Sequence, residues 1–144
     1  MQKLISLLSK YALYLAFLQA WAASLGSLYF SEIAKFPPCI LCWYQRICLY
    51  PLVAILTVGI LRGDKKVCLY VLPLSITGFI IAIYHNLLYY KLIPESIKPC
   101  EQGISCTTKY IEWFGFVTIP LLSLTTFLII SILMIIMILF KSKK

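Results

Sequence analysis

The sequence predicts an all-α integral membrane protein: a four-transmembrane-helix bundle with two extracytoplasmic, cysteine-bearing loops. Three observations predict it. The chain is 62% hydrophobic, with a mean hydropathy of +0.94, and only 12% of its residues are charged; a soluble domain is about half apolar and a quarter charged. Its apolar residues fall into four blocks of spanning length, and its lysines and arginines gather in alternate connecting segments. A chain of 144 residues makes one domain, with no soluble core large enough to hide that much apolar surface.

The blocks follow in order. Residues 11–30 carry no charge, residues 36–61 carry only Arg46, residues 67–90 carry at most a proton on His85, and residues 113–140 carry none. Each reaches the ~20 residues that cross ~30 Å of hydrocarbon at 1.5 Å per residue. Backbone polar groups in lipid must be satisfied within the segment, so each block predicts a helix. The expected helices are about 11–30, 40–61, 67–90 and 116–140, with outer loops 31–39 and 91–115. Lys3 and Lys10, the apolar run and Ala20-Trp21-Ala22 also resemble a cleavable signal peptide. The run continues to Phe30 with the small-residue site in its middle, which favours a retained helix. Pro37-Pro38 is expected to end the first helix and start the second. Pro51 and Pro73 fall inside helices two and three, where they predict kinks. The stretch Tyr110-Ile111-Glu112-Trp113-Phe114 mixes aromatics with charge and suits the headgroup layer.

Charge sets the orientation. The N-terminus, the turn after Leu61 and the C-terminus together carry Lys3, Lys10, Arg62, Lys65, Lys66, Lys141, Lys143 and Lys144 against Asp64 alone. On the other side Lys35 balances Glu32, and Lys91, Lys98 and Lys109 balance Glu95, Glu101 and Glu112. The basic side stays in the cytoplasm. Both termini are then cytoplasmic in a bacterial plasma membrane. The basic excess is a topology signal and an attraction to anionic membrane lipid, and no nucleic-acid partner is expected.

Four of the six cysteines then lie outside: Cys39 and Cys42 in a C-x-x-C, and Cys100 and Cys106 around five residues. Disulfides persist in that compartment. Cys48 and Cys68 lie within helices and suit small buried hydrophobes. C-x-x-C is the spacing of dithiol redox sites and of zinc knuckles. Following Pro37-Pro38, it falls at a helix start, where unpaired amides and the positive dipole end stabilise negative charge. Arg46 is four residues past Cys42, about 40° around the helix and ~6 Å deeper, so on the same face. Its guanidinium can donate to an anionic or carbonyl oxygen, or simply snorkel and set helix depth. A thiolate, a helix start and a guanidinium at headgroup depth suit a polar ring on a lipid-soluble tail, such as a quinone. His85 lies about one turn from the outer end of helix three, at a similar depth; it suits a proton donor or a buried polar residue bonded between helices. Static disulfides would close short loops and constrain little chain entropy. A four-thiolate zinc site would leave Arg46 unexplained, and no metal is expected.

The run Cys39-Ile40-Leu41-Cys42-Trp43-Tyr44-Gln45-Arg46, then Tyr84-His85, then Pro99-Cys100 with Cys106, resembles the DsbB family of disulfide-bond formation proteins. The short second cysteine loop and Tyr110-Ile111-Glu112-Trp113-Phe114-Gly115-Phe116-Val117-Thr118-Ile119-Pro120 resemble its Bacillus-type branch, BdbC. The resemblance covers nearly the whole chain. It implies a thiol:quinone oxidoreductase that reoxidises an extracytoplasmic thioredoxin-like thiol oxidase of the DsbA/BdbD type. It implies that Cys100 forms the mixed disulfide with that partner and that Cys106, released, attacks Cys39. Cys42 then meets the quinone (menaquinone or ubiquinone), Arg46 steadies the ring oxygen, and His85 lies close by. The chain departs from the Gram-negative type in having Gln45 where an acid often stands, and in the five-residue spacing of its second pair. The alternative is a non-enzymatic multi-pass subunit with structural disulfides.

Overall fold

The computed structural model describes residues 2–92 and 118–141. Cys100, Cys106 and the aromatic stretch expected in the headgroup layer lie outside the described residues. Four long helices form: α1 (Gln2–Leu28), α2 (Ile40–Arg62), α3 (Cys68–Tyr89) and α4 (Ile119–Lys141). All four are long and apolar enough to cross a membrane, and every regular element among the described residues is helical.

Helix α1 begins near the chain start, so Lys3 and Lys10 are helical. Lysine is a good helix former, and both precede the apolar span that opens at Tyr11. At its outer end α1 widens into a π-helical turn, Tyr29–Ile33, which no spacing in the sequence announced; Ala34 N–H donates to Tyr29 O at 3.0 Å. Lys35 then takes a left-handed φ of 53°. Pro37 and Pro38 lie in the irregular segment before α2 instead of in its first turn, because Cys39, with extended backbone, is the N-cap. Helices α2 and α3 continue unbroken through Pro51 and Pro73.

The inner turn is closed by chemistry visible in the sequence. Gly63, at φ 60°, ends α2, and the N–H of Asp64 reaches back to Gly59 O at 3.0 Å. This is the left-handed, six-to-one closure that glycine permits without Cβ strain. Asp64 then caps the 3-10 turn Lys65–Val67, accepting from Lys66 N at 2.8 Å. Lys91, at φ 56°, closes α3 in the same way, with Leu92 N–H bonded to Leu87 O.

Helix α1 packs on α2 and α4, and α3 packs on α2 and α4, so the four close a ring. Ala12, Ala16 and Ala20, one per turn of α1, are fully buried; small residues let membrane helices approach closely. Leu52 and Leu56 of α2, Val71 and Ala82 of α3, and Phe127, Ile130 and Met134 of α4 fill the centre. Gly78 leaves the space that the Phe127 ring occupies. Polar pairs pin the contacts: Ser75 and Ser131 hydroxyls at 2.9 Å join α3 to α4, and Gln19 Nε2 donates to Thr126 Oγ1 at 3.3 Å between α1 and α4. Asn86 Nδ2 donates to Pro120 O at 2.9 Å and sets the outer end of α3 against α4. Large apolar side chains such as Leu18, Leu61 and Ile80 point outward. That inversion suits lipid as solvent.

Candidate functional site

The outer end of the bundle gathers the chemistry. Cys39 caps α2: its Sγ accepts the backbone N–H of Cys42 at 3.4 Å, satisfying one of the orphan amides of the first turn. The Cys42 Sγ lies 3.0 Å from Cys39 Sγ. Across the interface His85 of α3 is almost fully buried and brings Nε2 to 3.7 Å from Cys39 Sγ. The other ring nitrogen, Nδ1, lies 3.2 Å from Nε2 of Gln45. Cys39 stands just ahead of the membrane-spanning part of α2. The Cys42 thiol hydrogen bond is the main cause that draws its pKa down, to about 4; burial opposes, and His85 and the Cys42 amide add to the lowering.

Arg46 does not snorkel outward. It is buried, and it turns toward α1, where Nε donates to Ser27 Oγ at 2.8 Å and Nη2 donates to Ser27 O at 2.7 Å. Its guanidinium also lies 5.4 Å from the Trp43 ring centroid, within cation–π range. A buried charge in a membrane helix needs such partners. Ser27 takes two of its five donors.

Cys39, Cys42, Gln45, Arg46 and His85 all line one cavity of about 340 Å³, within the roughly 300–1,000 Å³ of small-molecule sites. Gln19, Ala22, Gly26 and Ser27 of α1 form one wall, and Ser123, Thr126 and Phe127 of α4 another. Apolar walls with a few convergent polar groups are the usual make-up of a small-molecule site.

The structure thus brings together Cys39, Cys42, Arg46 and His85, four of the residues expected from the sequence. Cys48 and Cys68 sit in the apolar core and do not line the cavity. Ser27 and Gln45 are additions. Ser27 could have been noticed as a hydroxyl in the outer third of a nearly apolar helix; Gln45 was visible only as a departure from a family pattern. The Cys39, Cys42 and His85 donor atoms lie within 4.8 Å of one another, a soft set able to ligate a thiophilic ion as well as to exchange disulfides.

Comparison with known proteins shows the family to which this chemistry belongs. The family model "Disulfide bond formation protein DsbB" matches residues 9–139. The chain is 52% identical over 124 residues to Disulfide bond formation protein C of Bacillus subtilis (strain 168), covering 85% of this chain and 88% of that one. It is 49% identical over 117 residues to Probable disulfide formation protein C of Halalkalibacterium halodurans, covering 81% and 85%. It is 42% identical over 125 residues to Probable disulfide formation protein of Metapseudomonas resinovorans, covering 86% and 87%. No solved structure matches it. With a dithiol at a helix start, four spanning helices and a family match over nearly its whole length, the chain belongs to the DsbB family and is a multi-pass membrane oxidoreductase of disulfide bond formation.

Proposed function

We propose that this protein reoxidises an extracytoplasmic thioredoxin-like thiol oxidase and passes the electrons through Cys100–Cys106 and then Cys39–Cys42 to a membrane quinone. The observation that carries this reading is the placement of Cys39 and Cys42 on the wall of the same cavity as a buried arginine.

The reduced partner's thiolate attacks Cys100 of the Cys100–Cys106 disulfide, and the Cys106 thiolate leaves. The partner's second thiol closes its own disulfide and returns Cys100 as a thiolate. Cys106 attacks Cys39 of the Cys39–Cys42 disulfide and frees the Cys42 thiolate. Cys100 then resolves Cys39–Cys106, so the outer pair is oxidised again and Cys39 and Cys42 are reduced. When bound, a quinone accepts two electrons and two protons, and the Cys39–Cys42 bond reforms. Arg46, held by Ser27, offers its remaining N–H donors to a ring oxygen and keeps positive charge where negative charge gathers. The apolar walls keep water from the thiolate. Electrons leave a DsbA-type oxidant, near about −120 mV, only toward a more positive acceptor, and each ~30 mV of a two-electron step is worth ~1.4 kcal/mol.

The charge bias supports cytoplasmic termini and an outside position for the four relay cysteines. A membrane subunit with merely structural disulfides is disfavoured by the relatives' shared designation as disulfide formation proteins.

The test is purified protein in lipid with a reduced thioredoxin-like oxidase and either menaquinone or ubiquinone, followed by quinone absorbance. Stoichiometric quinone reduction is expected, abolished in Cys42→Ser. In Arg46→Ala, loss of a charged hydrogen bond worth about 1.5–3 kcal/mol lowers kcat/KM for quinone roughly 10- to 100-fold. Failure of both quinones to accept electrons from the dithiol protein would overturn the proposal.

A further inference from the structure

We propose that Gln45 is a positioning residue: it holds His85 as the tautomer protonated at Nε2, with that proton directed at the sulfur of Cys39. The functional consequence rests on the proposed redox role of the Cys39–Cys42 pair; the tautomer itself does not.

The argument starts at the sulfur. Cys39 Sγ already accepts the Cys42 backbone N–H at 3.4 Å, and it sits at the positive end of α2. A thiol could accept this bond and still give its own proton, but as a thiolate, the form that the helix start and the neighbouring Cys42 thiol favour, this sulfur can only accept. The imidazole nitrogen facing it at 3.7 Å, Nε2, is therefore the protonated one. A neutral imidazole carries a single N–H, which leaves Nδ1 bare and in need of a donor. At 3.2 Å it meets Nε2 of Gln45, an amide NH₂ that can only donate. His85 is 2% exposed and Gln45 7% exposed, so water competes poorly for either contact. The donors thus run one way, from Gln45 to His85 to Cys39. The opposite arrangement turns the Gln45 amide over, places Oε1 against a protonated Nδ1 and makes Nε2 accept from a Cys39 thiol.

The chain Gln45–His85–Cys39 has a consequence for the fully reduced pair. It places the negative charge on Cys39 and leaves the shared proton on Cys42, whose sulfur lies 3.0 Å away. An acid at position 45 would reverse the first link, because a carboxylate accepts and pulls a proton onto Nδ1.

His85 is the chain's one histidine, so a ¹⁵N-histidine-labelled sample gives one imidazole to read. The experiment is a two-bond ¹H–¹⁵N correlation on the full, reduced protein in lipid nanodiscs at neutral pH. A protonated Nε2 with a bare Nδ1 is expected in the native chain. Gln45→Glu is expected to put a proton on Nδ1, and Gln45→Leu to give a mixture of tautomers. A native chain protonated at Nδ1 alone, or at both nitrogens, overturns the inference, as does a Gln45→Leu spectrum unchanged from the native one. Should Gln45→Leu fail to fold, the native spectrum and Gln45→Glu still decide. In the quinone assay, Gln45→Leu is expected to lower kcat about tenfold with KM for quinone little changed, because Gln45 acts through His85; an unaltered kcat overturns the positioning role. If native protein shows the expected tautomer but reduces neither quinone, the electron-acceptor reading fails while the tautomer assignment stands.

Discussion

Cys39 shows how much a residue's chemistry owes to the helix it caps, and Arg46 how much it owes to a neighbouring helix. Cys39 owes its acceptor role to an extended backbone that turns its sulfur back onto the Cys42 amide. Its pKa, drawn down to about 4 chiefly by the Cys42 thiol, gives a pH dependence with a definite sign. Lowering pH through that value protonates the thiolate and removes its reactivity. In a Cys100→Ser, Cys106→Ser background, alkylation of reduced Cys39 by iodoacetamide, read by mass spectrometry, should hold from neutral pH to about 5 and fall as pH approaches about 4. His85→Ala should move that fall to higher pH. Arg46 is anchored by two hydrogen bonds to Ser27. Arg46→Lys keeps the charge but loses the planar fork, so its KM for quinone should rise about tenfold in the same assay. Ser27→Ala removes one of the two anchoring bonds, worth about 1 kcal/mol, and should raise KM about fivefold. A KM unchanged in both variants would separate Arg46 from quinone binding.

The helices place these residues through devices of very different visibility. Gly63 before Asp64 reads directly as a left-handed stop and a new cap, because few other residues tolerate φ 60°. Gly63→Ala should cost about 1 kcal/mol, measured as a lower midpoint of thermal unfolding in detergent. Gly78 is less legible: nothing in its neighbours in sequence announces that the Phe127 ring of α4 rests where a Cβ would stand. Gly78→Ala should destabilise by about 1–3 kcal/mol through overpacking, and a midpoint equal to that of the native protein would show that the α3–α4 contact yields. The π-helical turn at Tyr29–Ile33 is the least legible, since no residue spacing in the sequence marks it. Wide turns of this kind often accompany functional sites, and Phe30 within it lines the cavity.

Across the whole molecule, the excess of lysine and arginine on one side governs the proposed orientation. A cysteine introduced at Asp64 should react with a membrane-impermeant maleimide only after the membrane is opened, whereas one introduced at Glu32 should react in intact cells; the reverse pattern would invert the bundle and defeat the extracytoplasmic relay. Four spans were readable because lipid imposes one strong condition, continuous apolar length with internal hydrogen bonding, and the chain meets it four times. The C-x-x-C, its helix start and the arginine one turn deeper were readable because they lie within one helix, where spacing alone sets the face. Which face of α1 and α3 turns toward them was not, since apolar residues ring these helices and no heavily polar stripe sets the lipid-facing side apart from the inward one. That choice rests on pairings between distant residues: Asn86 with Pro120, Gln19 with Thr126 and Ser27 with Arg46. The sequence by itself determined the spans and the dithiol with its guanidinium, because local spacing encodes them. Only the tertiary structure decided that His85 faces Cys39, that Gln45 meets His85 and that Ser27 holds Arg46, because contacts between helices depend on rotations that no local pattern specifies.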